Sequence, residues 1–318
     1  MGFSGQREQT TLRRRVSLSG VGVHSGQPAS ITLCPADPDS GISFLQTDVP
    51  EAGKAAIPAR AAWVGGTELC TVLGDAGGAT VATVEHLLSA LVGLGIDNVR
   101  VEIDGPEVPV MDGSAKPFVD AIDKAGLRRL KAPRRFIRIR KPVRVELGDA
   151  FAEFRPYAGC RFEIDISYKC PVIGDQAIGI EMNPKNFRKE IARARTFGYM
   201  KDLERLREAG FALGSSLENS VGIGDGAVVN REGLRYPDEF VRHKVLDAMG
   251  DLALAGAPLQ GVYRTFKGGH KLNAMALAEL LAQPDAWSIV SAPAGKRAEP
   301  RGEFLSGILT PAFAPEFS

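Results

Sequence analysis

Apolar positions recur at helical spacing late in the chain, where Val241, Val245, Met249 and Leu252 step by three or four residues. The spacing predicts a helix over 236–255. Asp238 and Glu239 favour its start, and Gly256 with Pro258 stops it. A nearly unbroken apolar run at 83–91, TVEHLLSAL, predicts a short buried helix, capped by Thr80 or Thr83 and ended by Gly93 and Gly95. Further helices are expected at 116–125, at 199–209 with Tyr199, Leu203 and Leu206 on one face, and at 273–282 after a tight turn at 268–270. Short β-branched and alternating runs predict strands at 31–33, 42–44, 67–73, 98–103, 151–154, 162–168 and 261–266. Mixed strand and helix signals cover 178–194, and a glycine-punctuated strand region runs to 229. Residues 1–10 and 293–318 read as loose ends. The basic stretch 128–144, broken by Pro133 and Pro142, reads as an interdomain linker entering a second domain.

With 318 residues, 44% of them hydrophobic and 24% charged, the chain can bury a sizeable core and hold two ordinary domains. A net charge of +1 gives no bias toward nucleic acid or membrane. The basic stretch contains one aromatic residue, Phe136, too few for a stacking platform on nucleic acid. Four cysteines, Cys34, Cys70, Cys160 and Cys170, form no CxxC pair. No run reaches the ~18 apolar residues of a membrane span and no N-terminal leader is recognisable. These features point to a cytoplasmic protein whose membrane contact is at most peripheral. The glycine-rich turn at 19–26 lacks the spacing and following helix of a nucleotide-binding loop.

The chemistry concentrates in four histidines and their neighbours. In HKVLDAMGD at 243–251, His243, Asp247 and Asp251 step by four along one helix face, so a histidine and a carboxylate one turn apart can grip one divalent cation. The alternative is an ordinary solvated polar face, since HxxxD is common. Glu85 and His86 lie at the mouth of the apolar 83–91 helix, where they need hydrogen-bond partners or a metal. Taken together, His86, His243 and Asp247 suggest three ligands of a catalytic zinc with one open position. Glu85 then serves as general base, His270 on its Gly-Gly turn as the second acid–base group, and Asp251 as the carboxylate orienting that imidazole. Lys244 flanks the same helix and can bind an anionic or carbonyl group. His24 stays open between a site role and a structural hydrogen bond, the latter preferred.

These segments, with DGS at 112–114, RARTFG at 193–198 and Gly269-His270, resemble the UDP-3-O-acyl-N-acetylglucosamine deacetylase family, zinc amidases of lipid A synthesis; the resemblance runs in one order from about Thr11 to Ala282. It implies zinc, or iron(II) in the cell, on His86, His243 and Asp247, with Glu85 as base and His270 as acid supported by Asp251. Thr196 would help hold the oxyanion and Lys244 would contact substrate near the reacting centre. Phe197, Leu203, Ala212 and Ser216 fall at positions lining an acyl passage, Tyr168 near the uracil, and Lys267 near the nucleotide. The implied fold is α+β: two similar domains, 1–130 and 131–318, each a β-sheet with two helices, packed helix face to helix face with the site between. An insertion at about 178–217 would form the passage. The implied partner is the UDP-linked acylated sugar, and the implied state a monomer. Two other readings compete: a zinc hydrolase for a small soluble amide, and a non-enzymatic protein with a structural zinc or a basic binding module.

Overall fold

The computed structural model describes residues 6–48, 55–75 and 78–292. It is a mixed α+β molecule with several sheets and six α-helices among the described residues. The helices are α1 (Glu85–Gly93), α2 (Lys116–Ala125), α3 (Pro184–Asn186), α4 (Leu203–Glu208), α5 (Glu239–Leu252) and α6 (His270–Ala282).

A five-stranded sheet runs in the order Val16–Val21, Pro28–Pro35, Val99–Ile103, Ile42–Gln46, Ala56–Pro58. Alternation sets its inner face: Ala29, Ile31 and Leu33 of one strand and Val99, Val101 and Ile103 of its antiparallel neighbour are all buried. A seven-stranded sheet in the second half is organised around Leu259–Phe266. That strand pairs antiparallel with Ala150–Arg155 and parallel with both Cys160–Ser167 and Arg135–Ile139. Phe154 and Phe162 both pack on Tyr263 across it, with ring centroids at 5.1 and 6.1 Å.

α5 is the joint of the molecule. It lies against α1 on one side and against α6 and the second sheet on the other. Twelve of its 14 residues are buried. The stripe His243, Asp247 and Asp251 is therefore not the solvated face that spacing alone permitted; it points into the interior with the apolar stripe beside it. The helix runs on through a 3-10 turn at Ala253–Ala255 and stops at Gly256, whose φ of 82° is the left-handed stop that glycine allows.

Several expectations are corrected. The 128–144 stretch is strand and not irregular linker: Leu127–Pro133 pairs with Glu8–Leu12, Arg135–Ile139 is the first strand of the seven-stranded sheet, and Val143–Leu147 follows, with cations such as Arg128, Arg129 and Arg135 on exposed faces. Residues 8–10 are not loose. Glu8–Leu12 pairs antiparallel with Leu127–Pro133, and Thr10 and Thr11 are buried. The strand expected at 67–73 is only Val72–Gly74, because Leu69 takes a left-handed φ of 63° and turns the chain. At 199–209, a strand ends at Tyr199, a 3-10 turn follows, and only Leu203–Glu208 is α-helical. α6 begins at His270 itself, so that histidine opens a helix instead of sitting on a turn before it. Neither Thr80 nor Thr83 caps α1; the Thr83 hydroxyl donates to buried Glu107 at 2.7 Å. The tail at 293–318 lies outside the described residues.

Candidate active site

α1 and α5 meet at their functional residues. A Cβ on Gly250 would lie 2.0 Å from the Glu85 carbonyl oxygen, so only glycine lets the helices approach this closely. The contact sets Glu85 and His86 at the first turn of α1 opposite His243, Asp247 and Asp251 on α5.

His243 donates Nδ1–H to the Ala194 carbonyl at 3.0 Å, which leaves Nε2 with a bare lone pair. That lone pair faces Asp247 Oδ1 at 3.1 Å, and His86 Nε2 lies 3.6 Å from the same oxygen. The ligand atoms of His86, His243 and Asp247 all fall within 4.8 Å of one another, and all three residues are buried. Asp247 Oδ1 receives no hydrogen bond. A buried carboxylate oxygen facing imidazole lone pairs is costly unless a cation lies among them. Two imidazoles and one carboxylate are also the donor set of catalytic zinc centres, which keep a position for water. The residues fit a divalent metal.

Around this trio the charges are ordered. Burial opposes ionisation of Asp247, but His243 and Lys244 outweigh it and hold the carboxyl well below its usual range. Lys244 donates Nζ–H to Asp247 Oδ2 at 2.8 Å. Burial works against its charge, yet Asp247 leaves its pKa raised, so it is an ammonium at any working pH. Its Nζ also lies 5.5 Å from the centre of the Phe197 ring.

Glu85 and His270 flank the trio. Burial pushes the Glu85 carboxyl up to about 7, against the pull of His270. Burial disfavours the His270 imidazolium, but the Asp251 charge and then Glu85 more than offset it, raising the pKa to about 10. His270 Nδ1 lies 2.9 Å from Asp251 Oδ2 and its Nε2 3.9 Å from Glu85 Oε1. One carboxylic acid near neutrality beside a stabilised imidazolium is the pairing expected of a general base and a general acid.

These groups form one end of a cavity of about 370 Å³. Its walls turn apolar where half-buried or exposed Tyr199, Met200, Leu203, Leu206 and Leu217 line it together with buried Ala212. Of the residues singled out from sequence, Thr196, Phe197, Leu203, Ala212, Ser216, Tyr168 and Lys244 line this cavity with Glu85, His86, His243, Asp247 and His270. Asp251 stands behind His270. Lys267 is not among the lining residues and ion-pairs with Asp149. His24 lines the cavity too, packs edge-on against Phe211 and accepts a 3.4 Å hydrogen bond from the Ala212 amide, which fits the structural role expected of it.

Leu69, Thr83 and Ala212, all lining the cavity, have positive φ without being glycine, as does Lys267 three residues before His270. Such strain, of order 1–3 kcal/mol per residue, tends to gather at functional sites.

Sequence reasoning missed several supporting residues. Thr71 donates its hydroxyl to Asp251 Oδ1 at 2.6 Å and its N–H to Glu85 Oε2 at 3.1 Å. Asn273 donates to Asp251 Oδ2 at 2.7 Å and is itself oriented by the Tyr263 hydroxyl at 2.6 Å. Fully buried Arg195 donates to Glu239 Oε1 through both its amide and its Nε at 2.9 Å, which docks the Thr196 segment on the start of α5. A polar residue three positions after His270 on an apolar helix was a readable signal for Asn273; the others carried none.

Comparison with known proteins agrees with this geometry. A family model described as UDP-3-O-acyl N-acetylglycosamine deacetylase, LpxC, matches residues 9–282. The UDP-3-O-acyl-N-acetylglucosamine deacetylase of Brucella ovis is 53% identical over 285 residues, covering 89% of this chain and 99% of the relative. That of Brucella melitensis biotype 2 is 52% identical over 285 residues, with the same coverage. The match spans the trio, both flanking acid–base groups and the cavity wall, and the chain belongs to the UDP-3-O-acyl-N-acetylglucosamine deacetylase family.

Proposed function

We propose that this chain hydrolyses the N-acetyl group of UDP-3-O-acyl-N-acetylglucosamine, releasing acetate and UDP-3-O-acyl-glucosamine, the committed step of lipid A biosynthesis. The observation that carries this is the conjunction of a fitting metal trio, a base and an acid at one end of a cavity whose far wall is apolar. His86, His243 and Asp247 would hold the metal, zinc or, where iron(II) is the available ion, iron. When bound, that ion supplies Lewis acidity and lowers the pKa of a water to about 7.

The chain's own groups divide the remaining work. Glu85 takes a proton from the attacking water as its oxygen adds to the acetyl carbonyl carbon. The Thr196 hydroxyl and the His270 imidazolium stabilise the oxyanion that develops. His270 gives its Nε2 proton to the amide nitrogen as the C–N bond breaks, since an amide cannot expel an unprotonated amine. Asp251, held on Nδ1, keeps the imidazole in the orientation this requires. Lys244 positions substrate beside the centre, and Phe197, Leu203, Ala212 and Ser216 line the path of the 3-O-acyl chain. Tyr168, edge-on to Phe197 at 6.0 Å, offers an aromatic surface to the uracil. Lys267 must leave Asp149 to reach the nucleotide.

On this reading the molecule is two units, 1–130 and 131–318, each a sheet with two helices and joined where α1 lies on α5, with 178–217 as the insertion that walls the passage. One chain supplies every group the reaction uses, so a monomer suffices. Four free cysteines fit the cytoplasm. No described helix is long and apolar enough to cross a membrane.

The test is acetate release from UDP-3-O-acyl-N-acetylglucosamine by metal-loaded protein, abolished by chelation and restored by zinc. Glu85→Gln should keep one equivalent of metal while kcat drops about 10²–10⁴-fold. Full activity in that variant would refute the base assignment. Equal turnover of a small acetylated amide lacking the acyl chain would favour the soluble-amide hydrolase instead.

A further inference from the structure

Thr71 stands between the two arms of the acid–base machinery. It is buried, and its φ-strained neighbour Leu69 turns the chain so that Thr71 enters the site just before the Val72–Gly74 strand. Every polar group it carries is engaged on a catalytic element. Its carbonyl accepts the Val84 amide at 3.4 Å, at the threshold of α1. Its own N–H donates to Glu85 Oε2 at 3.1 Å, and its hydroxyl donates to Asp251 Oδ1 at 2.6 Å. That same hydroxyl oxygen lies 3.4 Å from His270 Nδ1.

Asp251 needs such a contact. Its Oδ2 faces both His270 Nδ1 at 2.9 Å and the Asn273 amide at 2.7 Å, and rotation of the carboxylate about its Cβ–Cγ bond would carry Oδ2 away from the imidazole. Asn273 resists that rotation, but it sits on α6 with His270 and moves with it. Thr71 comes from the other half of the chain and also grips Glu85, on α1. It thus bonds both the base on α1 and, through Asp251, the carboxylate partner of the acid on α6.

We infer that Thr71 is a positioning residue for the hydrolysis: one side chain and one amide that hold the general base and the carboxylate partner of the general acid in a single frame. The inference rests on the roles of Glu85 and His270 proposed above. Misplacing a reacting group by about 1 Å costs as much as 10²-fold in rate, and losing an outer partner of a metal-site residue typically costs 10–100-fold.

The experiment uses full-length, metal-loaded protein and compares Thr71→Val, Thr71→Ala and Thr71→Ser with Glu85→Gln. Valine and alanine keep the amide that serves Glu85 and remove the hydroxyl that serves Asp251; serine keeps both. Metal content, thermal midpoint, kcat and KM are measured for each. Thr71→Val is expected to bind one equivalent of metal and to keep KM within about three-fold while kcat falls about 10–100-fold, with Thr71→Ser restoring kcat to within about three-fold of the parent. Should the valine variant not fold, the alanine variant carries the same expectation. Parental kcat in a folded hydroxyl-less variant overturns the inference, and so does a loss of metal in step with activity, which would make Thr71 plain scaffolding. The two levels separate cleanly: an inactive Glu85→Gln beside a normal Thr71→Val removes only the role of Thr71, whereas an active Glu85→Gln removes the acid–base reading beneath it.

Discussion

The two ends of the cavity are built on opposite principles. Its floor is carried by the helices α1, α5 and α6, and apart from the metal-facing Asp247 Oδ1 its charged groups have specified partners: Lys244 on Asp247, His243 on Ala194, Asp251 on Thr71, Asn273 and His270. Its outer wall is made of short pieces, a three-residue strand, a 3-10 turn and the six-residue α4, which has no buried residue. Met200, Leu213 and Leu217 around that wall are 41%, 48% and 39% exposed. Catalytic groups must hold position to a fraction of an ångström, so the floor is stiff. A wall that accepts a flexible hydrocarbon needs only to be apolar, so its elements can be short and partly exposed. The difference teaches that substitutions should act through rate at the floor and through affinity at the wall.

The largest expected effect is at Asp247. Asp247→Ala leaves two imidazoles without their shared anion and Lys244 without its acceptor, so metal content falls to near zero and turnover with it. Elemental analysis of purified protein checks this, and a variant retaining one tightly held equivalent would show that the trio is not the metal site.

A matched pair of glycines tests stiffness directly. Gly250→Ala puts a methyl 2.0 Å from the Glu85 carbonyl oxygen, and overpacking of this kind costs about 1–3 kcal/mol; kcat should fall as α1 is pushed off α5. Gly198 lines the cavity on the wall side, and a Cβ there meets nothing within 4 Å. Gly198→Ala should change stability by less than about 0.5 kcal/mol and leave kcat alone. Comparable losses in both variants would erase the contrast between floor and wall.

The pH profile probes the floor more gently. Glu85 must be ionised to act as base, and its pKa is raised to about 7; His270 must be protonated to act as acid, and its pKa is raised to about 10. The profile of kcat/KM should therefore be a bell, rising as Glu85 loses its proton and falling as His270 loses its own. A bound dication favours loss of both protons, so the limbs lie at or below those two values. Asp251→Asn removes the largest of the charges that favour the imidazolium, so the basic limb should move to lower pH; the same charge also helps to raise Glu85, so the acidic limb should move down too, by less. An unmoved basic limb would separate Asp251 from the acid.

How much of this was legible in the sequence follows from how local each contact is. The α5 stripe was readable because His243 and Asp247 are one turn apart, and no tertiary knowledge is needed to put them on one face. Glu85 and His86 stood out because charge inside an apolar helix demands a partner. Thr71 was invisible: its hydroxyl meets Asp251 across 180 residues of sequence, and a threonine in a strand-like run looks like any other. Arg195 and Glu239, 44 residues apart, gave no pairing signal either. Glu8–Leu12 escaped because three of its four buried positions, Gln9, Thr10 and Thr11, are polar and satisfied by hydrogen bonds, such as Thr10 on the Gly95 carbonyl, and an apolar pattern cannot register them. The 128–144 stretch misled for the converse reason, since exposed strand faces carry most of its arginines, fully buried Arg134 excepted, and the prolines sit at strand ends.

The smallest effect is expected at the wall, and it is the one that most sharpens the comparison. Leu206 lines the cavity from α4 and is only half-buried. Leu206→Ser exchanges an isobutyl group for a small polar one that no catalytic residue touches. A bound acyl chain would lose roughly one methylene's worth of burial, about 0.8–1 kcal/mol, because a wall already open to solvent returns only part of what a core leucine would. That corresponds to a rise of about five-fold in KM for a long-chain UDP-sugar. With a substrate too short to reach α4, KM should match the parent, and kcat should be unchanged for both. A fall in kcat with either substrate would mean that the wall is mechanically coupled to the floor, and that the short elements of 197–229 help to place the reacting groups as well as to receive the chain.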